Sequence, residues 1–370
     1  MMKYKNLLVG CGISGAVLAR KLAETGEPTV IIDSKDHIGG NLYDYRDASG
    51  VMAQKYGPHI FHTNNREVWD FISRFTKWRV YFHKVQAMVD GQFVPTPFNL
   101  NSLRMVFPDA TANRIEQKLL DEFGLNKKVP ILELRKTADK DLRLLAEYIY
   151  EKIFLEYTMK QWGQLPDEID ASVSGRVPVY ISRDDRYFQD KYQGIPLDGY
   201  TAMLGKMLKH ENIEVRLNTK FDKSMEYENL FWTGSIDEFF DYKFGALPYR
   251  SVEFDFVTLP QERFQEVASV NYPTNFDFTR ITEYKHFLCD NSDKTTISFE
   301  YPSAFAPGVN DRYYPIANDG NAALYVKYLR LADETPNIRF LGRLGDYRYY
   351  DMWEAVNRAL KVFEGIKIKR

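Results

Sequence analysis

Two glycine runs account for most of the chemistry that the first fifty residues can offer. Gly10-Cys11-Gly12-Ile13-Ser14-Gly15 follows a short apolar segment, Lys5 to Val9, and opens a helix-periodic stretch from about Ser14 to Thr25 that Gly26 ends. In a G-x-G-x-x-G run between strand and helix, the first glycine makes the tight turn and the second lets backbone approach a pyrophosphate. The third lets the helix pack closely on the strand. The helix N-terminus adds unpaired N–H groups and the positive end of its dipole. Asp33 ends a second apolar strand, Thr29 to Asp33, where an acid can hold a ribose diol. This βαβ pattern predicts a dinucleotide site, with a glycine-rich turn in an unrelated α/β domain as the alternative.

The elements that must carry this site are spread along the chain. Helical periodicity takes over from about Pro95 to Gly163, in Ile115-Leu119-Leu120-Phe123 and Leu142-Leu145-Ile149-Ile153-Phe154. β-branched runs follow at Val177 to Ile181, Val252 to Leu259, Thr279 to Tyr284 and Thr295 to Tyr301, bounded by turn residues as in an antiparallel sheet. Between and after them come pieces that suit a return to the first domain: a helix over Tyr200 to Lys209, strands at Ile213 to Leu217, Leu230 to Thr233 and Ile338 to Leu341, and a helix from near Asp351. The expected fold class is therefore α/β. A discontinuous Rossmann-like domain covers 1–80, 196–242 and 315–370, with a helical insert at 99–165 and an antiparallel β-sheet domain at 81–98, 166–195 and 243–314.

Composition narrows the function classes. The 370 residues are 44% hydrophobic and 27% charged, with 49 Lys plus Arg against 51 Asp plus Glu. That excludes disorder and collagen, and it supplies no basic footprint for nucleic acid or an anionic membrane. Cys11 and Cys289 stand far apart, which argues against a disulfide framework or zinc site and suits a reducing compartment. The glycines break up the apolar N-terminal stretch, so it reads as part of the fold and not as a signal peptide. No segment reaches the ~20 apolar residues of a membrane span. A cytoplasmic protein without membrane insertion is expected. The aromatic share is high, 15%, from 25 Tyr, 25 Phe and 5 Trp.

Further clusters lie downstream. His59 and His62 sit three apart after Tyr56-Gly57-Pro58, lack a third metal ligand nearby, and read as a hydrogen-bonded pair with no metal site. Tyr157 and Trp162 flank a helix end before Gly163, where core packing is the plain reading. Arg176, Arg280, Tyr187, Tyr313-Tyr314 and Tyr349-Tyr350-Asp351 complete the set. A lone arginine is usually a solvated surface residue.

The segment Gly39-Gly40-Asn41 shortly after Asp33 resembles an extension found in flavoproteins of the glutathione-reductase and amine-oxidase lineage, and Gly342-Arg343 with Asp351 resembles the second FAD contact of that lineage. Taken together, the motifs resemble the UDP-galactopyranose mutase family almost end to end. The resemblance rests on the glycine fingerprint, His37-Ile38-Gly39-Gly40-Asn41, His59 to Thr63, Pro97-Phe98-Asn99, Lys160-Gln161-Trp162-Gly163 and Arg176-Val177-Pro178-Val179. It continues in Tyr192-Gln193-Gly194-Ile195-Pro196, Phe244-Gly245-Ala246-Leu247, Tyr249-Arg250-Ser251, Glu300-Tyr301-Pro302 and Tyr347 to Met352.

The resemblance implies an isomerase that interconverts UDP-galactopyranose and UDP-galactofuranose through a covalent sugar adduct at flavin N5. FAD would be active when reduced, with NADPH or another reductant as electron source and no net redox. Gly10, Gly12, Ser14, Gly15, Asp33, Gly39, Gly40, Asn41, His59, Arg343, Asp351 and Met352 would hold FAD, and His62 would approach the isoalloxazine. Arg176 and Arg280 would neutralise the diphosphate, with hydroxyls from Tyr187, Tyr314 and Tyr349, because arginine meets phosphate oxygens bidentately. Tyr157 would stack on uracil with Phe154 beside it, and Trp162, at the base of the family's mobile substrate loop, would lie against the sugar. Arg250, Asn271 and Glu300 match positions lining the family's active site. A homodimer is implied.

The chain departs from the family at Ile13-Ser14, where Leu-Phe is frequent, at Tyr180, where a basic residue is common, and at Asp33, which replaces a frequent Glu. These departures leave the sugar's C2 substituent open, so UDP-N-acetylgalactosamine is an alternative substrate. A net oxidoreductase of the amine-oxidase type and a non-catalytic nucleotide-sugar binder are the competing functional readings.

Overall fold

The computed structural model describes residues 3–166, 178–316 and 318–367. It divides into two compact units, one built from Met1–Tyr81, Asp190–Tyr249 and Arg312–Arg370 and the other from Phe82–Gln189 and Arg250–Asp311.

The first unit is organised by a parallel sheet in the order Ile213–Arg216, Thr29–Ile32, Tyr4–Val9, Tyr227–Trp232, Ile338–Phe340, with every neighbouring pair parallel. Successive side chains on a strand face opposite sides, and both sides are covered. Leu8, Ile31 and Phe231 join the helices Ile13–Ala23, Tyr200–Leu208 and Met352–Lys367 in one core, whereas Leu7, Ile32 and Leu230 point to the other face with Phe221 and Phe239. This two-sided burial explains why Leu7-Leu8 and Ile31-Ile32 are unbroken apolar pairs. The unit also holds a small antiparallel sheet, Phe61–Thr63, Tyr192–Pro196 and Trp78–Val80, and an antiparallel pair, Asp44–Arg46 with Met52–Gln54. The small sheet draws 190–195 into this unit, away from the sheet domain in which the sequence reading grouped those residues.

The second unit carries a sheet in the order Tyr249–Leu259, Thr295–Ala304, Arg280–Glu283, Ser269–Asn271, Val85–Val89, Gln92–Thr96. Its pairs are antiparallel with one correction to the expected pattern: Ser269–Asn271 runs parallel to Val85–Val89. These two strands come from distant parts of the chain, so no hairpin dictates their sense.

The helical insert is not a separate body. Ala87, Val89 and Val94 of the sheet share one buried cluster with Leu103, Ile115, Leu119, Leu142, Leu145 and Ile149 of the helices, so insert and sheet have a common core. The periodic run after Leu142 is not one α-helix either. The helix Lys140–Ile149 passes through a π-helical turn, Tyr150–Leu155, into Glu156–Trp162. Such turns are rare and recur at functional sites. An apolar periodicity near 3.6 does not reveal them.

One long-range cap ties the first unit together. Gly199, with φ 87°, precedes the helix Tyr200–Leu208 and has no side chain to satisfy its N-terminus. Asp44 does so from 155 residues away in sequence, accepting from Tyr200 N–H at 2.6 Å and Thr201 N–H at 2.9 Å. A Cβ on Gly199 would lie 2.8 Å from the Asp44 carboxylate, so the glycine and the acid require each other. Asp44→Ala should lower stability by about 1–2 kcal/mol, the value of a good N-cap, read as a lower urea midpoint with unchanged m-value.

Candidate functional site

The dinucleotide site begins where the strand Tyr4–Val9 meets the helix Ile13–Ala23. Gly10 turns at φ 101°, and a Cβ there would fall 2.0 Å from the Thr233 hydroxyl oxygen. A Cβ on Gly15 would stand 2.1 Å from the Gly10 carbonyl oxygen, whereas at Gly12 nothing lies within 4 Å. The first and third glycines are therefore required by packing, and the second leaves open space. That space is a cavity of about 530 Å³, a common size for a ligand site.

Gly10, Gly12, Ser14, Asp33, Gly39, Gly40, Asn41, His59, Arg343, Asp351 and Met352 all line this cavity, and Gly15 lies behind it. The Asp33 carboxylate accepts from Cys11 N–H at 2.7 Å and Lys35 N–H at 2.9 Å, which fixes the acid beside the first glycine turn. The second glycine run docks on the first through Gly39 N–H to the Cys11 carbonyl at 2.8 Å. The Asp351 carbonyl oxygen accepts from Glu354 N–H at 3.0 Å and Ala355 N–H at 3.1 Å at the start of Met352–Lys367. A cavity walled by glycine backbone, with an acid at one strand end and helix starts beside it, fits the pyrophosphate and ribose of FAD.

The cavity also has lining that sequence reasoning did not assign: Lys35, Thr219, Lys220, Phe221, Trp232, Thr233, Gly234, Glu238 and Tyr350. Gly234 after an apolar strand was a visible signal for that edge. Lys220 and Phe221 carry none, since their place depends on the loop after Ile213–Arg216.

Electrostatics in this wall follow from burial. The Cys11 thiol is pushed up to about 12, by burial first and then by Asp33, and is inert at neutral pH. Arg343 is half-buried, which presses its pKa downward, and its guanidinium stands 5.8 Å from the Tyr314 ring centre. Tyr314 in turn stacks on Tyr349 at 5.5 Å. The expected histidine pair separates: His59 Nδ1 lies 2.8 Å from the Gly57 carbonyl, whereas His62 Nδ1 meets Asp190 at 2.6 Å and is not in the cavity lining. Among the described residues no group of three or more His, Cys, Asp or Glu side chains could hold a metal ion, and no helix is long and apolar enough to cross a membrane.

In the second unit, cross-strand register assembles a cluster around Arg280. It sits opposite Asn271 on one side and Glu300 on the other. Its Nε donates to Asn271 Oδ1 at 3.1 Å, its Nη2 to the Tyr157 hydroxyl at 3.0 Å, and its Nη1 faces the Glu300 carboxylate at 3.6 Å. Arg250 is held elsewhere: its guanidinium donates to the Lys160 and Gln161 carbonyls, both at 3.0 Å, and so ties down the C-terminal end of Glu156–Trp162. Lys160 secures the same end by donating to the Tyr272, Phe276 and Phe278 carbonyls. Trp162 is the last residue of that helix, before Gly163 at φ 70°. Phe154 lies in the π-helical turn against the insert core, and Tyr187 packs on His83 and Phe188. Arg176 lies outside the described residues.

A family model described as UDP-galactopyranose mutase matches residues 152–349, more than half of the chain. The chain belongs to this family. A second model, an NAD(P)-binding Rossmann-like domain, matches residues 8–75, the part that builds the glycine cradle. A probable UDP-galactopyranose mutase of Klebsiella pneumoniae is 41% identical over 366 residues, covering 97% of this chain and 94% of the relative. A dTDP-fucopyranose mutase of Escherichia coli is 36% identical over 367 residues, covering 96% and 97%. Among solved structures, a reduced UDP-galactopyranose mutase superposes with a TM-score of 0.75 over 100% of this chain and 96% of that one; at 14% identity this likeness concerns the fold. The chain is thus an enzyme of the mutase family with a flavoprotein fold.

His59 supplies a pH test of this wall. Burial, with Arg343 adding to it and the Gly57 carbonyl opposing it, lowers its pKa to about 4, whereas the unfolded chain titrates near ~6.5. Between these values the unfolded state binds more protons, so this contribution is complete above about pH 6.5 and is lost as the pH falls towards 4. The stability difference between the wild-type apoprotein and His59→Gln should accordingly shrink across that window in urea titrations. A pH-independent difference would contradict the assignment.

Proposed function

We propose that this enzyme interconverts the pyranose and furanose forms of UDP-galactose, with FAD kept reduced by NADPH or another reductant, as a homodimer. The observation that carries the reading is the Arg280 cluster, a half-buried guanidinium oriented by Asn271, Tyr157 and Glu300 in a chain that also contains the glycine-walled cavity. FAD, held by the glycine-walled cavity and kept reduced, would supply the nucleophilic chemistry of its N5 without net redox.

The side chains do the rest. Glu300 and Asn271 fix the plane of Arg280, so its N–H groups meet a diphosphate without reorganisation as negative charge builds on departing UDP. Arg176 is the partner cation in this proposal, and Tyr187, Tyr314 and Tyr349 add hydroxyl donors. Tyr157, whose hydroxyl is bound by Arg280, offers its ring face to uracil, and Phe154 lines the same pocket. Trp162 lies against the sugar, on a helix end that Arg250 and Lys160 hold in place. His62, which Asp190 orients, is the histidine assigned to approach the flavin ring in this proposal.

The 36% identity with a dTDP-fucopyranose mutase favours a second reading, in which the substrate is a deoxythymidine-diphosphate hexose. UDP-N-acetylgalactosamine is the third substrate to compare. With dithionite-reduced enzyme, chromatography should show UDP-galactofuranose converted mainly to the pyranose. If every UDP-hexose comes through unchanged while a dTDP-hexose isomerises, the second reading holds; if no nucleotide sugar changes, the mutase reading is lost. Arg280→Ala should cut kcat by at least about a hundredfold while the protein remains yellow, and Arg176→Ala should behave likewise. Near-normal turnover in both variants would sink the diphosphate assignment.

A further inference from the structure

Behind the second glycine run lies a polar chain that the chemistry above does not use. His37 is buried, with 8% of its surface exposed, and both ring nitrogens are engaged. Nδ1 stands 3.0 Å from the Ile38 carbonyl oxygen and Nε2 stands 2.8 Å from the Tyr56 hydroxyl. A carbonyl oxygen only accepts, so Nδ1 carries the proton. Burial lowers the His37 pKa, with Lys35 and Lys55 adding to this and the Ile38 carbonyl and Asp36 opposing it. This downward shift favours the neutral ring, and with the proton on Nδ1 the Nε2 atom accepts from Tyr56 O–H. Tyr56 in turn accepts from Lys35 Nζ at 3.0 Å, and the same ammonium stands 4.2 Å from the Tyr56 ring centre. Donors thus run in one direction, from Lys35 through Tyr56 and His37 to the Ile38 carbonyl.

That carbonyl belongs to the same peptide unit as the Gly39 N–H, which donates to the Cys11 carbonyl at 2.8 Å. A planar peptide tied at both its oxygen and its nitrogen cannot rotate without losing one of the two bonds. This peptide leads into Gly39 and Gly40, at φ 97° and 55°, which only glycine adopts at little cost. It also sets how close Gly40 comes to the first loop, since a Cβ there would lie 3.2 Å from Gly12 Cα. Gly12, Gly39, Gly40 and Lys35 are all in the cavity wall. On the other side His37 is stacked against Tyr43, with ring centres 4.0 Å apart.

We infer that Lys35, Tyr56 and His37 form a positioning relay that holds the Gly39-Gly40 wall of the cavity in its binding geometry and thereby sets the affinity for the dinucleotide. Both His37 and Tyr56 act through the peptide they orient. Without the relay, the glycine turn must be ordered when the cofactor binds, and that ordering subtracts from affinity. The inference rests on the flavin reading of the cavity.

Tyr56→Phe keeps the ring, its stacking and its volume, and removes only the hydroxyl that joins Lys35 to His37. The apoprotein should be titrated with FAD and binding followed by quenching of flavin fluorescence. The expected result is a Kd raised about tenfold, the effect of one charge-supported hydrogen bond, with far-UV circular dichroism and apoprotein melting unchanged. A Kd within twofold of wild type would overturn the relay, as would a weaker Kd that merely tracks a loss of apoprotein stability. An independent measurement is the ¹⁵N spectrum of histidine-labelled wild-type protein, with His37 assigned from the signal lost in His37→Gln. Protonation at Nδ1 is expected, and protonation at Nε2 would refute the donor direction. If wild-type protein fails to quench FAD at all, the flavin reading fails, and the tautomer still tests the relay.

Discussion

The site depends on a missing atom. A Cβ on Gly15 would lie 2.1 Å from the Gly10 carbonyl oxygen, so the helix Ile13–Ala23 can start against the end of the strand Tyr4–Val9 only if that residue is glycine. With this contact in place, the helix N-terminus and the Gly10 turn share one small region, and the cavity opens beside them. Asp33 then clamps the turn through Cys11 N–H, and the Gly39-Gly40 run closes on it through the Cys11 carbonyl. Both backbone polar groups of Cys11 are thus used for structure, while burial and the nearby Asp33 raise the pKa of its thiol.

Cations are the second organising feature, and burial makes each one particular about its partners. Lys160 and Arg250 are half-buried where the helix Glu156–Trp162 ends; Arg250 bonds the Lys160 and Gln161 carbonyls of that end, whereas Lys160 donates to the Tyr272, Phe276 and Phe278 carbonyls, and burial lowers both pKa values. Carbonyl oxygens at a helix C-terminus are otherwise unpaired, so Arg250 satisfies its own donors and that helix end at once. Arg280 differs because its partners are side chains: Asn271, Tyr157 and the buried Glu300. This orientation by side chains is what the diphosphate role proposed for Arg280 draws on, whereas Arg250 bonds the backbone of a helix end. The two read alike in sequence, as single arginines near strand starts.

Much of the first unit was legible from residue order alone. A glycine run between apolar segments, an acid at the next strand end and a second glycine pair each have one common structural explanation, and the observed strands start or stop within a few residues of the expected ones. The second unit was less legible. The Arg280 cluster joins residues 157, 271, 280 and 300, which meet only through strand register and the helix end, and no local pattern encodes that register. The π-helical turn at Tyr150–Leu155 was hidden because an apolar stripe continues through it. The shared core of insert and sheet was hidden because burial of Ala87, Val89 and Val94 against helices leaves no mark that separates it from burial against another sheet.

Sequence by itself determined the dinucleotide cradle and the family, because both rest on short-range requirements: glycine where a Cβ cannot fit, an acid at a strand end, and motifs in a set order. Only the tertiary structure decided which of several similar residues do what. It sent His59 to the cavity and His62 to Asp190, gave Arg250 to a helix end and Arg280 to a side-chain cluster, and linked Lys35, Tyr56 and His37 behind the second glycine turn. The physical reason is that hydrogen-bond partners are chosen by distance in space, and these partners are brought together by strand pairing and helix packing, not by their spacing along the chain.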